Sequence, residues 1–410
     1  DLFHTAVSAA DPLNGIRKYL PSPPENGRTV VIGAGKGAAQ MACALESLWT
    51  GPLSGVVVTR YGYGCETRDI EVIEAAHPVP DAAGLVAARR LVELVSSLSE
   101  DDLLIALICG GGSALLPAPP PGLSLEDEIA LNEMLLASGA PISAMNVVRK
   151  HLSTIKGGRL AAATKARVVS LIVSDIPGDD PALVASGPTV PDGSTRQDAL
   201  DVVAQYRLTL PQALLDHLNS PAADAPHPDD PVFARHEHHI VSSARVSLEA
   251  AAEVALAHGV TPVLLSDSVE GEARDVALVH AAIAREIALR DRPFAKPAVL
   301  LSGGETTVTL RGKGGKGGRN GEFALALALA IDGQDIVALA ADTDGIDGSE
   351  DNAGAFADGI SARRLLTSGH DGRKLLEANN SFTGFAAIGD LVVTGPTGVN
   401  VNDFRAILIQ

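Results

Sequence analysis

Thr29-Val30-Val31-Ile32-Gly33-Ala34-Gly35-Lys36-Gly37-Ala38 is a short β-branched run that breaks on glycines and passes into the helix-favouring stretch Ala38 to Leu48. A strand that stops on glycine and restarts as a helix is half of a βαβ unit. Outward from it the alternation continues. Gly55 to Thr59 and Glu71 to Ala75 read as strands, Ala82 to Leu98 as a helix, and Leu103 to Ile108 as a strand buried on both faces. Helical patterns follow from Leu125 to Ala137 and from Ala144 to Ile155, then the continuous strand Arg167 to Val173. Apolar strands alternating with helices predict an α/β fold built on a doubly wound, mostly parallel sheet.

The segment Asn219-Ser220-Pro221-Ala222-Ala223-Asp224-Ala225-Pro226-His227-Pro228-Asp229-Asp230-Pro231 changes character. Its prolines cannot propagate a helix or a central strand. The expected boundary falls here, giving domains 1–233 and 234–410; a long surface loop inside one domain is the alternative. After it, strands are expected near His239–Ser242, Pro262–Leu265, Ala298–Leu301, Val308–Leu310, Ile336–Ala340 and Phe404–Ile409. Helices are expected at Arg245–His258, Glu272–Leu289 and Glu322–Ala330.

With 410 residues the chain is too long for one core. Apolar residues make up 46 % and aromatic residues 3 %, so the cores must be built from small aliphatic side chains. The formal net charge of −18 argues against nucleic acid and anionic lipid as partners. Any anion site must therefore be made locally. Three cysteines suggest neither a disulfide framework nor a zinc site, and no apolar run is long enough to span a bilayer. The N-terminus lacks a basic, apolar leader, so a cytoplasmic location is expected.

Several loops carry the chemistry. In Gly33-Ala34-Gly35-Lys36-Gly37, glycines at a strand-to-helix turn let the backbone approach an anion, and Lys36 is misplaced against the helix dipole unless it faces one. The pattern is also a weak dinucleotide fingerprint, with Arg60 suiting a 2′-phosphate. Gly110-Gly111-Gly112-Ser113 can form an amide nest or a plain tight turn. Asn146, Arg149, Lys150 and Lys156 concentrate cations in an acidic chain. Asp175 stands at the end of a buried strand, where a metal ligand or a general base belongs; turn chemistry is the alternative. Ser302-Gly303-Gly304-Glu305 follows another apolar strand. Arg311-Gly312-Lys313-Gly314-Gly315-Lys316-Gly317-Gly318-Arg319-Asn320 reads as a cationic phosphate clamp before a helix, or as a flexible hairpin. Asp342 and Asp344 form an acidic strand-end turn suited to Mg²⁺ on phosphates. Thr397, Asn400 and Asn402 lie in a rigid polar loop.

Taken in order, these motifs resemble the class II glycerate 2-kinase family over nearly the whole chain, from about residue 25. One departure is Gly321, where the family pattern has glutamine. The resemblance implies an N-terminal Rossmann-like domain and a C-terminal α/β domain containing a MOFRL module at about 296–405, with the active site in the cleft between domains. It implies transfer of the γ-phosphoryl group of ATP to D-glycerate, giving 2-phosphoglycerate, with Mg²⁺ as cofactor. It also implies Lys36 and Arg319 as catalytic residues, with Asp175 orienting the hydroxyl. Some relatives are named hydroxypyruvate reductase, so an NADP-dependent reductase remains the rival. Partners are then a nucleotide and a small hydroxy acid, and monomer or homodimer stays open.

Overall fold

The computed structural model describes residues 1–310 and 315–410. The chain divides into two compact units, Gly15–Val241 and Asp1–Asn14 with Ser242–Gln410. No helix among the described residues is long and apolar enough to cross a membrane.

In the first unit the strands are β1 (Thr29–Ala34), β2 (Ser54–Arg60), β3 (Ile70–Ala75), β4 (Leu103–Cys109), β5 (Arg167–Val173) and β6 (His236–Ser242), in the order β3-β2-β1-β4-β5-β6. The ladders among β1 to β5 are parallel. Alternate residues serve opposite faces, the signature of a doubly wound sheet. Leu104, Ala106 and Ile108 of β4 join the core against helix Ala82–Ser96. Leu103, Ile105 and Leu107 join the core against helix Ala38–Leu48. Both β1 and β4 end at their carboxyl side in glycine loops, which is where such sheets place ligands.

The division between units comes later than the proline-rich segment. That segment lies inside the first unit, with 3₁₀ turns at Pro221–Ala223 and Pro231–Arg235, and it delivers the chain to β6 at the sheet edge. The strand near residue 239 thus belongs to the first sheet, not the second. Residues 1–14 in turn belong to the second unit. Phe3 and Ala6 of helix Leu2–Ala9 pack with Leu248, Ala251, Ala252 and Phe404. Residues so distant along the chain share a core only because the fold joins them, which local patterning cannot register.

The second unit holds β7 (Thr261–Ser266), β8 (Gly271–Glu272), β9 (Ala298–Gly304), β10 (Thr306–Thr307), β11 (Ile336–Asp342), β12 (Gly354–Asp358), β13 (Leu391–Val392) and β14 (Asp403–Ile409). Its main sheet runs β13-β12-β11-β14-β9-β7 and is mixed. β14 is antiparallel to both β9 and β11, while β7 is parallel to β9. The strand expected at Val308–Leu310 is instead the two-residue β10, which pairs with β8. Alanine-rich helices Ala273–Arg290 and Arg319–Ala330 cover one face, and helix Ala244–Ala257 the other. Small side chains at these contacts account for cores with so few aromatics.

Cys43, on helix Ala38–Leu48, and Cys65, after β2, are joined as a disulfide, contrary to the expectation from their sparse count. The pairing depends on the helix packing on the face of the sheet, which brings Cys43 to the segment after β2, 22 residues away in sequence.

Candidate active site

In the first unit the glycine loops after β1 and β4 are tied together. Lys36 N–H donates to the Gly110 carbonyl at 2.8 Å, and Gly37 N–H to Cys109 Sγ at 3.2 Å. Burial pushes the Cys109 thiol up to about 12, so it serves as an acceptor and not as a nucleophile. Thr59 Oγ1 donates to the Lys36 carbonyl at 3.0 Å. Gly35 takes φ +139°, and any side chain there would run into Cys109. These ties fix the Lys36 backbone while its side chain stays half-buried, and among the described residues the ammonium has no ion pair.

Asp175 lies directly against Gly110, where a methyl group would collide with its carboxylate. Gly111 has φ +81°, and a Cβ there would sit 2.9 Å from Lys36 Cγ and 3.1 Å from His77 Nε2. Ser113 Oγ meets Ser186 Oγ at 2.9 Å, and Ser186 donates to Asn146 Oδ1, also at 2.9 Å. Arg149 reaches that same Asn146 oxygen at 3.4 Å and Asn132 Oδ1 at 2.7 Å. Ala185 and Ser186 both have positive φ, a cost that strained functional loops commonly carry. Ser113, Ser186, Asn146 and Arg149 thus form one polar chain, while Lys36 and Asp175 flank the neighbouring Gly110–Gly111 turn.

Lys150 and Lys156 are not part of it. Lys150 is fully buried and pairs with Asp192. Lys156 Nζ lies 2.6 Å from Glu128 Oε1, the two side chains 2 % and 5 % exposed. An interior ammonium needs a counter-charge, and each found one about 28 to 42 residues away in sequence. Lys156→Gln is expected to cost about 2 kcal/mol of stability, by loss of a charged hydrogen bond, without altering any substrate KM. A raised KM at unchanged melting temperature would return Lys156 to the ligand.

In the second unit Arg319 opens helix Arg319–Ala330 inside a cage of carboxylates. Its Nε donates to Asp403 Oδ1 at 2.6 Å, one terminal nitrogen to Asp342 Oδ2 at 2.7 Å, and the other to Glu305 Oε1 at 2.9 Å. Burial alone would pull the guanidinium down; Asp403, Asp342 and Glu305 outweigh it and hold it above its usual value. Asp403 is fully buried, whereas the Glu305 side chain is 57 % exposed. The Glu305 contact is therefore the one an incoming anion can displace.

The helix start itself is already capped. Asp347 accepts from the Asn320 N–H at 2.9 Å and the Gly321 N–H at 2.7 Å. Those amides, expected to face phosphate, are occupied by a buried carboxylate. Burial pushes Asp347 up to about 6, against the two amides. A carboxyl raised above its unfolded value costs nothing when protonated in both states, and the cost builds as pH rises from the unfolded value through the folded one. The stability of the wild type relative to Asp347→Asn should accordingly decline between about pH 4 and pH 7, as denaturant melts across that range would register.

Ser302, Gly303 and Gly304 are buried in β9: Ser302 Oγ contacts His280 Nε2 at 3.0 Å, and the Gly303 carbonyl accepts from Arg405 at 3.3 Å. Asn320 Nδ2 donates to Asp403 at 2.8 Å, so it too is an internal brace. Lys316 is exposed and pairs with Glu350 at 3.3 Å. Thr397 holds its loop to the Thr343 carbonyl, and Asn400 caps the Asn402 N–H at 3.2 Å. Arg311, Gly312, Lys313 and Gly314 of the expected clamp lie outside the described residues.

Asp342 Oδ2 is taken by Arg319 and its Oδ1 by the Asp344 N–H at 3.1 Å; Asp344 in turn accepts from the Ile346 N–H at 2.8 Å. Among the described residues no three His, Cys, Asp or Glu side chains gather to hold a metal ion. The acidic turn expected to ligate Mg²⁺ is thus engaged with the protein itself.

A family model described as a domain of unknown function, DUF4147, matches residues 1–219, and the MOFRL family model matches residues 298–403. A glycerate 2-kinase from Pyrococcus horikoshii is 40 % identical, the alignment covering 98 % of this chain and 95 % of that one. The chain belongs to the glycerate 2-kinase family. The crystal structure of a glycerate kinase from Thermotoga maritima superposes with a TM-score of 0.90 at 37 % identity, covering 100 % of this chain and 98 % of the other. An Agrobacterium vitis family member provisionally named hydroxypyruvate reductase is 53 % identical over 93 % of this chain and all of its own length.

The Lys36 loop and the Arg319 cage each hold a cation that stays partly exposed. His77 carried no motif in the sequence, and Asp347 stood only as one more acid of the turn that follows β11. His77 stood only as a lone histidine between Ala76 and Pro78. Its position just past β3, at the same end of the sheet as the glycine loops, was the one signal available.

Proposed function

We propose that this chain transfers the γ-phosphoryl group of ATP to D-glycerate, forming 2-phosphoglycerate. The observation that carries the reading is Lys36, whose ammonium has no ion pair among the described residues, held where the two glycine loops meet at the carboxyl end of a parallel sheet, in a chain of this family. Phosphoryl transfer needs little covalent help from the protein; it needs positioning and neutralisation of oxygens that gain charge. Lys36 and Arg319 are the cations we assign to phosphoryl oxygens, the latter exchanging Glu305 for the ligand. Asp175, against Gly110, is assigned to orient the attacking hydroxyl. We place Mg²⁺ on the nucleotide, which brings its own phosphate oxygens and water as ligands. An ATP-dependent activity on a small metabolite also supports a cytoplasmic location.

The second reading, an NADP-dependent reduction of hydroxypyruvate, is favoured by the name of the Agrobacterium relative. Against it, Arg60, the residue suited to a 2′-phosphate, lies over the Tyr63 ring at 3.6 Å. One assay set separates the two: D-glycerate with ATP and Mg²⁺ and product analysis, beside hydroxypyruvate with NADPH followed at 340 nm. Phosphorylated glycerate is expected; nucleotide oxidation without it would reverse the order.

A further inference from the structure

His77 has no role in the account above, yet it occupies the same place as Lys36. It follows β3, which ends at Ala75, and is half-buried beside the Gly110–Gly111 turn. Lys36 Cγ and His77 Nε2 crowd the same face of Gly111, at 2.9 and 3.1 Å from the position a Cβ would take. That is why a side chain is excluded there: the turn keeps the lysine stem and the imidazole side by side. Among the described residues neither ring nitrogen has a hydrogen-bond partner, and the neighbouring ammonium has none either. Two half-buried nitrogen groups without partners, next to a backbone turn that cannot carry a side chain, leave space and donors for a ligand.

We propose that His77 is a ligand-contacting member of the Lys36 site, donating a ring N–H to an anionic oxygen of the bound substrate, phosphate or carboxylate. The proposal rests on the reading of the Lys36 loop as the anion site. The charge balance supports it. Burial first, then Lys36 and Arg60, pull His77 below its usual value, so at neutral pH it is a neutral donor and the site is not overloaded with positive charge. A neutral imidazole keeps one N–H for the anion and leaves the charge to Lys36.

The test uses the full chain in two measurements. Titrations with inorganic phosphate, ATP and D-glycerate are followed by nitrogen-15 NMR of the imidazoles, with His77→Gln assigning the signal. At least one ligand should move the His77 ring nitrogens in the wild type. Movement with phosphate and ATP identifies a phosphate oxygen; movement with glycerate alone identifies the carboxylate. In steady-state kinetics His77→Ala should raise KM for the corresponding substrate about tenfold, the worth of one hydrogen bond to a charged group, and His77→Gln should recover part of it. The melting temperature should stay near wild type in both variants. Ring signals that ignore all three ligands, or both KM values within twofold of wild type, overturn the proposal. If Lys36→Ala is inactive while His77→Ala is unaffected, only the His77 assignment falls. If both variants behave as wild type, the anion-site reading falls with it.

Discussion

Replacing Lys36 by alanine should lower kcat about a hundredfold and leave the melting temperature almost unmoved. The rate effect follows from removing a cation aimed at oxygens that gain charge in the transition state, worth on the order of 3 kcal/mol. The unchanged stability follows from the geometry. The Lys36 N–H and carbonyl are held by Gly110 and Thr59, and these bonds survive truncation of the side chain. Its ammonium forms no ion pair among the described residues, so nothing buried loses a counter-charge. Steady-state kinetics at saturating substrates, beside a thermal melt, checks both parts. Near-native turnover would make Lys36 a solvated loop cation, and a matching fall in melting temperature would make it structural.

Arg319 does not allow so clean a test, and Asp403 shows why. Asp403→Ala should destabilise the chain by about 3–5 kcal/mol, a drop of roughly 10 °C in melting temperature. Oδ1 of Asp403 accepts from Arg319 Nε at 2.6 Å and Asn320 Nδ2 at 2.8 Å. Its Oδ2 accepts from the N–H and hydroxyl of Thr306, both at 3.1 Å, and from Arg405. Arg405 is itself fully buried, so the variant would strand an interior guanidinium. Activity should fall as well, because Arg319 loses the contact that fixes its fork. Calorimetry beside a kcat measurement at a temperature below both melts separates the two effects. A variant as stable as wild type would mean that the buried pair is neutral, as buried pairs replaced as a whole can be.

The reverse replacement of Arg319 follows from the same cage. Truncating Arg319 would leave Asp403 and Asp342 buried with one counter-charge fewer. The sequence placed it at the end of a cationic glycine loop, a phosphate clamp or a flexible hairpin, yet its side chain is only 25 % exposed and is bound on three sides.

What the sequence by itself determined is local. The strands β1 to β5, the glycine breaks and the helices between them follow from alternating apolar faces and from glycine at sharp turns, and both act within a few residues. Lys36 belonged to that class, since a lysine at a helix start after a glycine turn is electrostatically conspicuous on its own. The tertiary structure decided the partners. Lys156 and Arg319 are both cations beside glycines in the sequence, but one is neutralised by Glu128, 28 residues away, and the other by Asp403, 84 residues away. Whether a cation is a ligand contact or an interior brace depends on which carboxylate the fold carries to it. Residue 347 likewise looked like one more acid in a strand-end turn until the fold set it on the amides of Asn320 and Gly321. Charges interact through space with a strength set by burial, and neither the distance nor the burial is written in the spacing of residues along the chain.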